Sequence, residues 1–344
     1  MLRNKPCPDC DLPNRRSFLQ ATAVSLAGFA VPRSSIAQDA QALQEPSETA
    51  VSAFFETLTP EQKQVICFPW DHTDADRGLL RTHVSNNWQI TRPTIDSAFF
   101  TKQQKHLLHD AFRGLFHPDW YPRLVKQLKD DTGGKPWGAE QSVALFGTPG
   151  QGKFELVMTG RHMTVRIDGN SEDHVALGGP IFHGHAPVFV EKKDHPGNIF
   201  WQQALECNKV FTLLDGQQQK QALVRARPAE AEVPFQGKEG TFDGLPVTAM
   251  SRDQQAELRK VLGSLVEPYR QRDREEILQC LEKQGGLSTC HLAFYEEGDI
   301  GKDRVWDNWR LEGPSFVWYF RGEPHVHIWI HVADSPKVAL NSQG

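Results

Sequence analysis

Apolar residues recur at helical spacing in three stretches that begin with the same kind of cap. Thr59, Thr101 and Ser251 are each followed three residues later by a glutamine, which is the pattern of a capping box. The stretch after Ser251 is predicted to kink at Pro268 and to end at the glycine pair 285–286. The pattern therefore predicts three long helical regions with defined N-termini.

Segments rich in β-branched and aromatic residues, punctuated by glycine, fall in two blocks at about 141–192 and 289–333. Helices and strands thus follow one another in separate runs, which predicts an α+β fold with a mixed or antiparallel sheet and packed helices. Residues 144–169 can be laid over 293–322, each with a Gly-Lys turn and a glycine before its last strand. This suggests two related hairpin units in one sheet, with chance similarity as the alternative.

The N-terminus carries the pattern of an export signal. Residues 14–19 read Asn-Arg-Arg-Ser-Phe-Leu, and the apolar stretch 21–31 that follows is shorter than the ~20 residues a membrane span needs. Small residues at 35–37 are typical of a cleavage site. We therefore expect a twin-arginine signal peptide over 1–37, a linker over 38–50 and a single α+β domain over 51–344. A basic N-terminal arm is the alternative.

This signal predicts a periplasmic or otherwise exported protein, with the twin-arginine translocase as its partner during export. The route carries folded proteins, many of which load a metal or cofactor first. Removing residues 1–37 leaves 33 basic against 41 acidic residues, a net charge of −8. That balance argues against a nucleic-acid partner, and no later apolar run is long enough for a membrane span.

The cysteines leave two alternatives open. Cys67, Cys207, Cys280 and Cys290 remain after removal of the signal. In an oxidising compartment an even number of cysteines permits one or two disulfides. Free buried thiols are the other expectation.

Three histidines stand in the strand-like segment "GEPHVHIWIHVA", residues 322–333. Side chains at i and i+2 of a strand point to the same face. His325 and His327 therefore share one face with Trp329, while the aliphatic residues between them fill the core face. Two imidazoles this close suit one metal ion. His331 lies further along the same face and is expected to be too far for the same metal. The alternative is the exposed polar face of an edge strand.

A three-histidine site needs a ligand from a separate element. His162 begins a strand and is the best candidate, with a structural histidine as the alternative. His183 and His185 in "FHGHAP" are additional candidates, although a polar loop could carry them by chance. We expect a divalent metal (Cu, Zn or Fe). No phosphate-binding or dinucleotide-binding motif appears, so no nucleotide cofactor is expected.

Several motifs together resemble the bacterial family known as domain of unknown function 3500, many of whose members carry twin-arginine signals. The matching segments are Gly147-Thr148-Pro149, Gly160-Arg161-His162, Pro180-Ile181-Phe182-His183-Gly184, Arg310-Leu311-Glu312-Gly313-Pro314 and His325-Val326-His327. The chain departs from the family pattern at Arg161, where the family has a first histidine, and lacks an acidic residue near 318–319. The resemblance implies a shared site built from His162, Arg310, His325 and His327, and it implies no reaction.

These observations predict a periplasmic metal-binding protein, or a metalloenzyme acting on a small anionic substrate. Arg310 would hold the anionic group, because a guanidinium matches carboxylate or phosphate geometry, and Trp309 and Trp329 would wall the pocket. Zinc would favour hydrolysis and copper or iron would favour oxidation or reduction. The alternatives are a metal-free hydrolase or lyase that uses histidine as acid and base, and a ligand-binding protein without turnover.

Overall fold

The fold is built around a single mixed sheet with helices on one face and extended segments on the other. The computed structural model describes residues 46–169, 171–185, 199–230, 233–299 and 305–338. The predicted signal peptide, 1–37, lies outside these residues, as do residues 38–45 of the predicted linker. Residues Leu43–Gly344 group into one compact unit.

Four helices and seven strands make up the first half of the described chain. The helices are α1 (Pro46–Glu56), α2 (Pro60–Ile66), α3 (Lys102–Arg113) and α4 (Tyr121–Asp131). The strands are β1 (Cys67–Phe68), β2 (Thr73–Asp74), β3 (Gly78–Leu79), β4 (Ser142–Gly147), β5 (Phe154–Gly160), β6 (Met163–Ile167) and β7 (Ile181–His185). Strands β2 and β3 form a small sheet of their own.

The second half repeats this order closely. Its helices are α5 (Trp201–Leu213), α6 (Gly216–Ala222), α7 (Arg252–Val266) and α8 (Gln271–Lys283). Its strands are β8 (Leu223–Val224), β9 (Leu245–Pro246), β10 (His291–Tyr295), β11 (Asn308–Gly313), β12 (Phe316–Arg321) and β13 (Val326–Val332). Each half thus contributes two helices, a short strand, two more helices and a four-stranded antiparallel meander.

The two meanders join into one sheet, which confirms the predicted α+β class and the two predicted strand blocks. The strand order is β1-β4-β5-β6-β7-β13-β12-β11-β10-β8, and β9 also pairs with β10. Strands β1 and β8 lie parallel to β4 and β10 respectively, whereas the other pairs in the sheet are antiparallel. Because β7 pairs with β13, one pair of strands forms the junction between the two halves.

Paired glutamines mark the repeat at the side-chain level. Gln62 and Gln104 exchange two side-chain hydrogen bonds of 2.9 and 2.8 Å, and Gln218 and Gln254 do the same at 3.2 and 2.8 Å. Each glutamine is also the third helical residue of a capping box. The three predicted boxes are confirmed, and the structure adds a fourth that begins at Asp215.

Burial separates the two faces of the sheet. The larger apolar cluster joins the helices to one sheet face and includes Trp309, Ile328 and Ile330. The opposite face carries a smaller cluster with Trp329 and Tyr319, covered by segments around Val84 and Val233. Strand β13 therefore has both faces buried, so it is not the exposed edge strand of the alternative reading.

The structure corrects two boundaries. Residues 46–50, predicted as linker, form the first turns of α1, because Ala50 belongs to an apolar face that packs against the core. The predicted kink at Pro268 is a break between α7 and α8, since proline cannot continue the backbone ladder.

The thiols of Cys67, Cys207, Cys280 and Cys290 are free. Burial raises the pKa of Cys290 and of Cys280 to about 12. Within the described part of the chain, no helix combines the length and apolar character that crossing a bilayer requires.

Candidate metal centre

Three histidines from two separate parts of the chain converge beside the junction of the two halves. Their rings lie 5.2 Å (His162 to His325), 5.1 Å (His162 to His327) and 4.6 Å (His325 to His327) apart between centroids. Each offers one nitrogen that lies within 4.8 Å of the other two. All three side chains are buried, with 5%, 8% and 4% of their surface exposed.

The fold explains why these residues meet. His325 and His327 stand at the start of β13, and His162 occupies the tight turn between β5 and β6. His162 has a φ of 55°, a left-handed conformation that non-glycine residues adopt rarely. Its backbone is held there by a 2.9 Å hydrogen bond to the Asn86 carbonyl. The turn thus directs His162 toward the strand that carries the other two histidines.

Gly184 on β7 makes room for the rings. It pairs with His327 across the strand junction. A Cβ added at this glycine would lie 3.0 Å from Cδ2 of His162, Cδ2 of His327 and the Val326 carbonyl oxygen. The absence of a side chain at position 184 therefore lets the rings of His162 and His327 pack closely over this glycine.

Glu230 and Arg321 hold the far side of the His327 ring. The Nδ1 atom of His327 contacts Glu230 Oε1 and lies 2.6 Å from Arg321 Nη2, and Arg321 Nη1 pairs with the other Glu230 oxygen at 2.5 Å. An ionised carboxylate can only accept, so we assign the Nδ1 proton to the bond with Glu230. Arg321, which can only donate, is then held by its ion pair with Glu230 and not by a hydrogen bond to Nδ1. Burial acts to raise the pKa of Glu230, but the His327 bond and the Arg321 charge lower it to about 2.

Asp131, the last residue of α4, plays the same part for His162. Its Oδ2 accepts a hydrogen bond from His162 Nδ1 at 2.9 Å, and its Oδ1 lies 3.4 Å from His185 Nδ1. Burial acts to raise the pKa of Asp131, yet the bonds from the two histidines lower it to about 2. A carboxylate therefore orients His162 from behind.

This arrangement leaves the Nε2 atoms of His162 and His327 for a ligand. Among the described residues, Nε2 of His327 is buried and has no hydrogen-bond partner. A carboxylate behind a ligating imidazole is the usual support of a metal-binding histidine. Tetrahedral zinc with bonds of about 2.0–2.1 Å requires ligand nitrogens about 3.3 Å apart. The three nitrogens lie within 4.8 Å of one another, so a small inward movement of the rings would bring them to that distance. The residues present fit a divalent metal.

His183 and His185 point to the other face of the sheet. In the strand register they pair with Ile328 and Val326, which face the helices. His183 is packed near Phe116, and burial lowers its pKa to about 4. Neither belongs to the convergent group, although His185 contacts it indirectly through Asp131.

Arg310 lies apart from the histidines, on the same sheet face. It pairs with Tyr319, which pairs with Trp329, two residues beyond His327. Two strand spacings of about 4.8 Å and two residues of about 3.3 Å place the Cα atoms of Arg310 and His327 about 12 Å apart. The Arg310 side chain is already paired with Glu312 at 2.8 Å.

The two tryptophans predicted to wall one pocket face opposite ways. Trp309 stacks on Phe320 at 5.5 Å within the helix-facing core, whereas Trp329 contacts Phe182 at 4.8 Å on the other face. Neighbouring residues of a strand alternate between faces, and Trp309 precedes Arg310 directly. Trp309 and Trp329 therefore cannot line the same pocket.

His331 is separate from the centre. Its Nδ1 donates to the Val233 carbonyl at 2.9 Å, and its ring stacks on Phe235 at 3.7 Å. Burial lowers the pKa of His331 to about 4. Its place further along the strand agrees with the expectation that it is no ligand of the same metal.

Sequence reasoning missed Asp131 and Glu230, and it named Gly184 in a family motif without assigning it a role. Asp131 could have been noticed, because a carboxylate in the last turn of a helix opposes the helix dipole and therefore calls for another explanation. Glu230 stands in a segment without regular spacing, 97 residues from His327. No sequence pattern marked it.

The fold and the site define an α+β protein with a buried three-histidine centre. The chain belongs to the family described as "Protein of unknown function (DUF3500)", which matches residues 40–333. This confirms the family resemblance found from the motifs. Neither a curated protein nor a solved structure is significantly similar to the chain.

Proposed function

We propose that this chain is an exported metal-binding protein in which His162, His325 and His327 hold one divalent metal ion. The observation that supports this most strongly is the buried Nε2 of His327, which has no hydrogen-bond partner among the described residues while its Nδ1 is held by Glu230. Burying an unsatisfied polar atom costs free energy. A metal ion would satisfy it, together with the two neighbouring imidazoles.

The proposal extends to an enzyme. Structural zinc sites have four protein ligands, whereas catalytic sites keep a position open for water or substrate. Three histidines from the described residues form this group. A bound zinc would supply Lewis-acid chemistry, and copper or iron would supply oxidation or reduction. The protein itself would orient the ligands through Asp131 and Glu230, and Phe182 and Trp329 would exclude water from the inner side.

An anionic substrate is not part of this proposal. That expectation depended on Arg310, whose charge is neutralised by Glu312 and which lies about 12 Å from His327. A metal-free hydrolase or lyase and a ligand-binding protein without turnover are the alternatives, and the experiments below separate them.

Export is proposed from the twin-arginine pattern at residues 14–19. A fusion of residues 1–45 to a reporter that works only after export of the folded form tests it. Replacing Arg15 and Arg16 together by lysine should abolish export. A reporter that still leaves the cytoplasm in the lysine variant would contradict the proposal.

The central experiment is metal analysis of protein exported by its own signal. We expect about one metal ion per chain in the wild type, and its loss in His162→Ala, His325→Ala and His327→Ala. His106→Ala is the matched control, because His106 is exposed on α3. Thermal unfolding of each variant shows whether the fold persists. Metal well below one ion per chain, unchanged by the histidine variants, would make the metal assignment wrong.

Turnover on a panel of esters, phosphates and oxidisable organic compounds distinguishes the classes of function. Activity that disappears with a chelator and returns with metal indicates a metalloenzyme. Activity that survives metal removal indicates acid–base catalysis by the same histidines. Metal binding without turnover on any compound of the panel favours a binding protein.

A further inference from the structure

A second polar site lies on the sheet face that carries the histidine centre. A cavity of about 450 Å³ opens over β11. Its lining residues come from β11 and from the segments that cover this face: Pro228, Pro234, Gln236, Thr241, Asp243, Arg310 and Glu312. Cavities of this size hold small molecules.

The floor of the cavity is a buried ion pair. Arg310 Nη2 donates to Glu312 Oε1 at 2.8 Å, and Gln236 Nε2 donates to the same oxygen at 2.9 Å. Only 5% of Arg310 and 5% of Glu312 is exposed. The guanidinium also lies 5.6 Å from the centre of the Tyr319 ring. The arginine charge is therefore neutralised within the floor.

The rim of the cavity carries a second carboxylate. Asp243 is exposed, and its Oδ2 accepts a long 3.5 Å hydrogen bond from the Tyr295 hydroxyl. Within the described ranges Asp243 forms no ion pair with a lysine, arginine or histidine. Among the described lining residues, one arginine against two carboxylates leaves a net charge of −1.

The negative charge of Asp243 affects the pKa values of two neighbouring groups. Burial raises the pKa of Glu312, the contacts with Arg310 and Gln236 oppose the rise, and the charge of Asp243 adds to it. Burial also raises the pKa of Tyr295, and Asp243 contributes in the same direction. An anion in this cavity would meet two carboxylates, of which Asp243 pairs with no cationic side chain in the part of the chain that the structure describes.

We infer that this cavity binds a small organic amine, whose protonated nitrogen pairs with Asp243 at the rim. The two carboxylates and the Gln236 amide oxygen are acceptors, and the donors of Arg310 and Gln236 are directed at Glu312, so the lining favours a ligand that brings donors. A protonated amine brings donors and also cancels the remaining negative charge, which a neutral alcohol cannot do. The rings of Pro228 and Pro234 offer apolar contact for its carbon skeleton. This inference goes beyond the proposed function and does not depend on a metal.

Calorimetric titration of the full exported protein with matched probes tests the inference. The probes are 1,4-diaminobutane against 1,4-butanediol, and glucosamine against glucose, so that each pair differs in its amine. We expect saturable binding of at least one amine at or below about 1 mM and at least about tenfold weaker binding of its neutral partner. Asp243→Asn should weaken amine binding about tenfold or more, which corresponds to about 1.4 kcal/mol.

Asp119→Asn is the control, because Asp119 is an exposed acid outside the cavity lining. It should leave amine binding unchanged. Three results would overturn the inference: no saturable binding of either amine, equal binding of an amine and its neutral partner, or unchanged binding in Asp243→Asn. Metal content is measured on the same samples, so failure of the metal proposal is seen separately.

Discussion

His327 and Glu230 are joined through the ring nitrogen that faces away from the proposed metal, although 97 residues separate them in the chain. The carboxylate fixes the ring tautomer and leaves Nε2 to the centre. We expect Glu230→Ala to weaken metal affinity about 10–100-fold, the usual loss for a residue that supports a ligand. Glu230→Gln should recover part of the loss, because its amide oxygen still accepts a hydrogen bond. Competition with a chelator of known affinity measures both.

The exposed Glu239→Gln serves as the control for charge and should leave the affinity unchanged. Equal affinities in the wild type and Glu230→Ala would show that the Glu230 contact does not position the ligand.

Gly184 offers a test of how closely the rings approach. Gly184→Ala adds a carbon 3.0 Å from the rings of His162 and His327. We therefore expect lower metal affinity and a free energy of unfolding lower by about 1–3 kcal/mol. Gly263→Ala in α7 is the matched control, since nothing lies within 4 Å of its added carbon. It should stabilise the protein by about 0.5–1 kcal/mol through helix propensity. Metal retention in Gly184→Ala at wild-type affinity would contradict the packing argument.

Glu276 predicts a dependence of stability on pH that is unrelated to the metal. Its Oε2 accepts a 3.1 Å hydrogen bond from the Leu177 amide, and burial raises its pKa to about 7 from an ordinary value of 4.5. Between these two pH values the folded state keeps a proton that the unfolded state has released. The free energy of unfolding contributed by this group therefore falls as pH rises from about 4.5 to about 7 and is constant above that.

Glu276→Gln removes this titration. We expect the variant to gain about 3 kcal/mol relative to the wild type at pH 8 and to differ little from it at pH 4.5. Urea unfolding at both pH values gives the difference. Glu275→Gln, next to it on α8, should show no such dependence on pH. The same difference at both pH values would refute the assignment to Glu276.

The Gln62–Gln104 pair predicts a coupling between α2 and α3. Removing either side chain leaves the other buried amide without its partner, so each single alanine variant should cost about 1–3 kcal/mol of unfolding free energy. The double variant should cost less than the sum, with a coupling of about 0.5–3 kcal/mol. Gln103→Ala, exposed on α3, should lie within about 0.5 kcal/mol of the wild type. If the double variant lost as much unfolding free energy as the two single variants together, the two glutamines would not be coupled.

The sequence predicted local features well because they depend on neighbouring residues. The capping boxes at Thr59, Thr101 and Ser251 need only four residues each. The common face of His325 and His327 follows from alternation along one strand. Both kinds of feature are determined before any long-range contact forms, and the structure contains them.

Features that depend on register and distant contacts were harder to predict. The prediction that Trp309 walls the pocket of Arg310 conflicts with strand geometry, because adjacent strand residues face opposite sides of the sheet and Trp309 lies in the helix-facing core. The pairing of β7 with β13 decides that His183 and His185 face the helices. Asp131 and Glu230 reach their histidines across 31 and 97 residues. Such distances leave no periodic trace in a single sequence.

The position of the histidine centre at the β7–β13 junction has a consequence for the order of events in the cell. His162 comes from the first repeat, and His325 and His327 come from the second, so neither repeat alone contains all three histidines of the group. If the histidine group holds the proposed metal, a nascent chain that has made only its first repeat offers one of the three ligands. Loading would then follow the joining of both repeats, and the proposed export of the folded protein would follow loading.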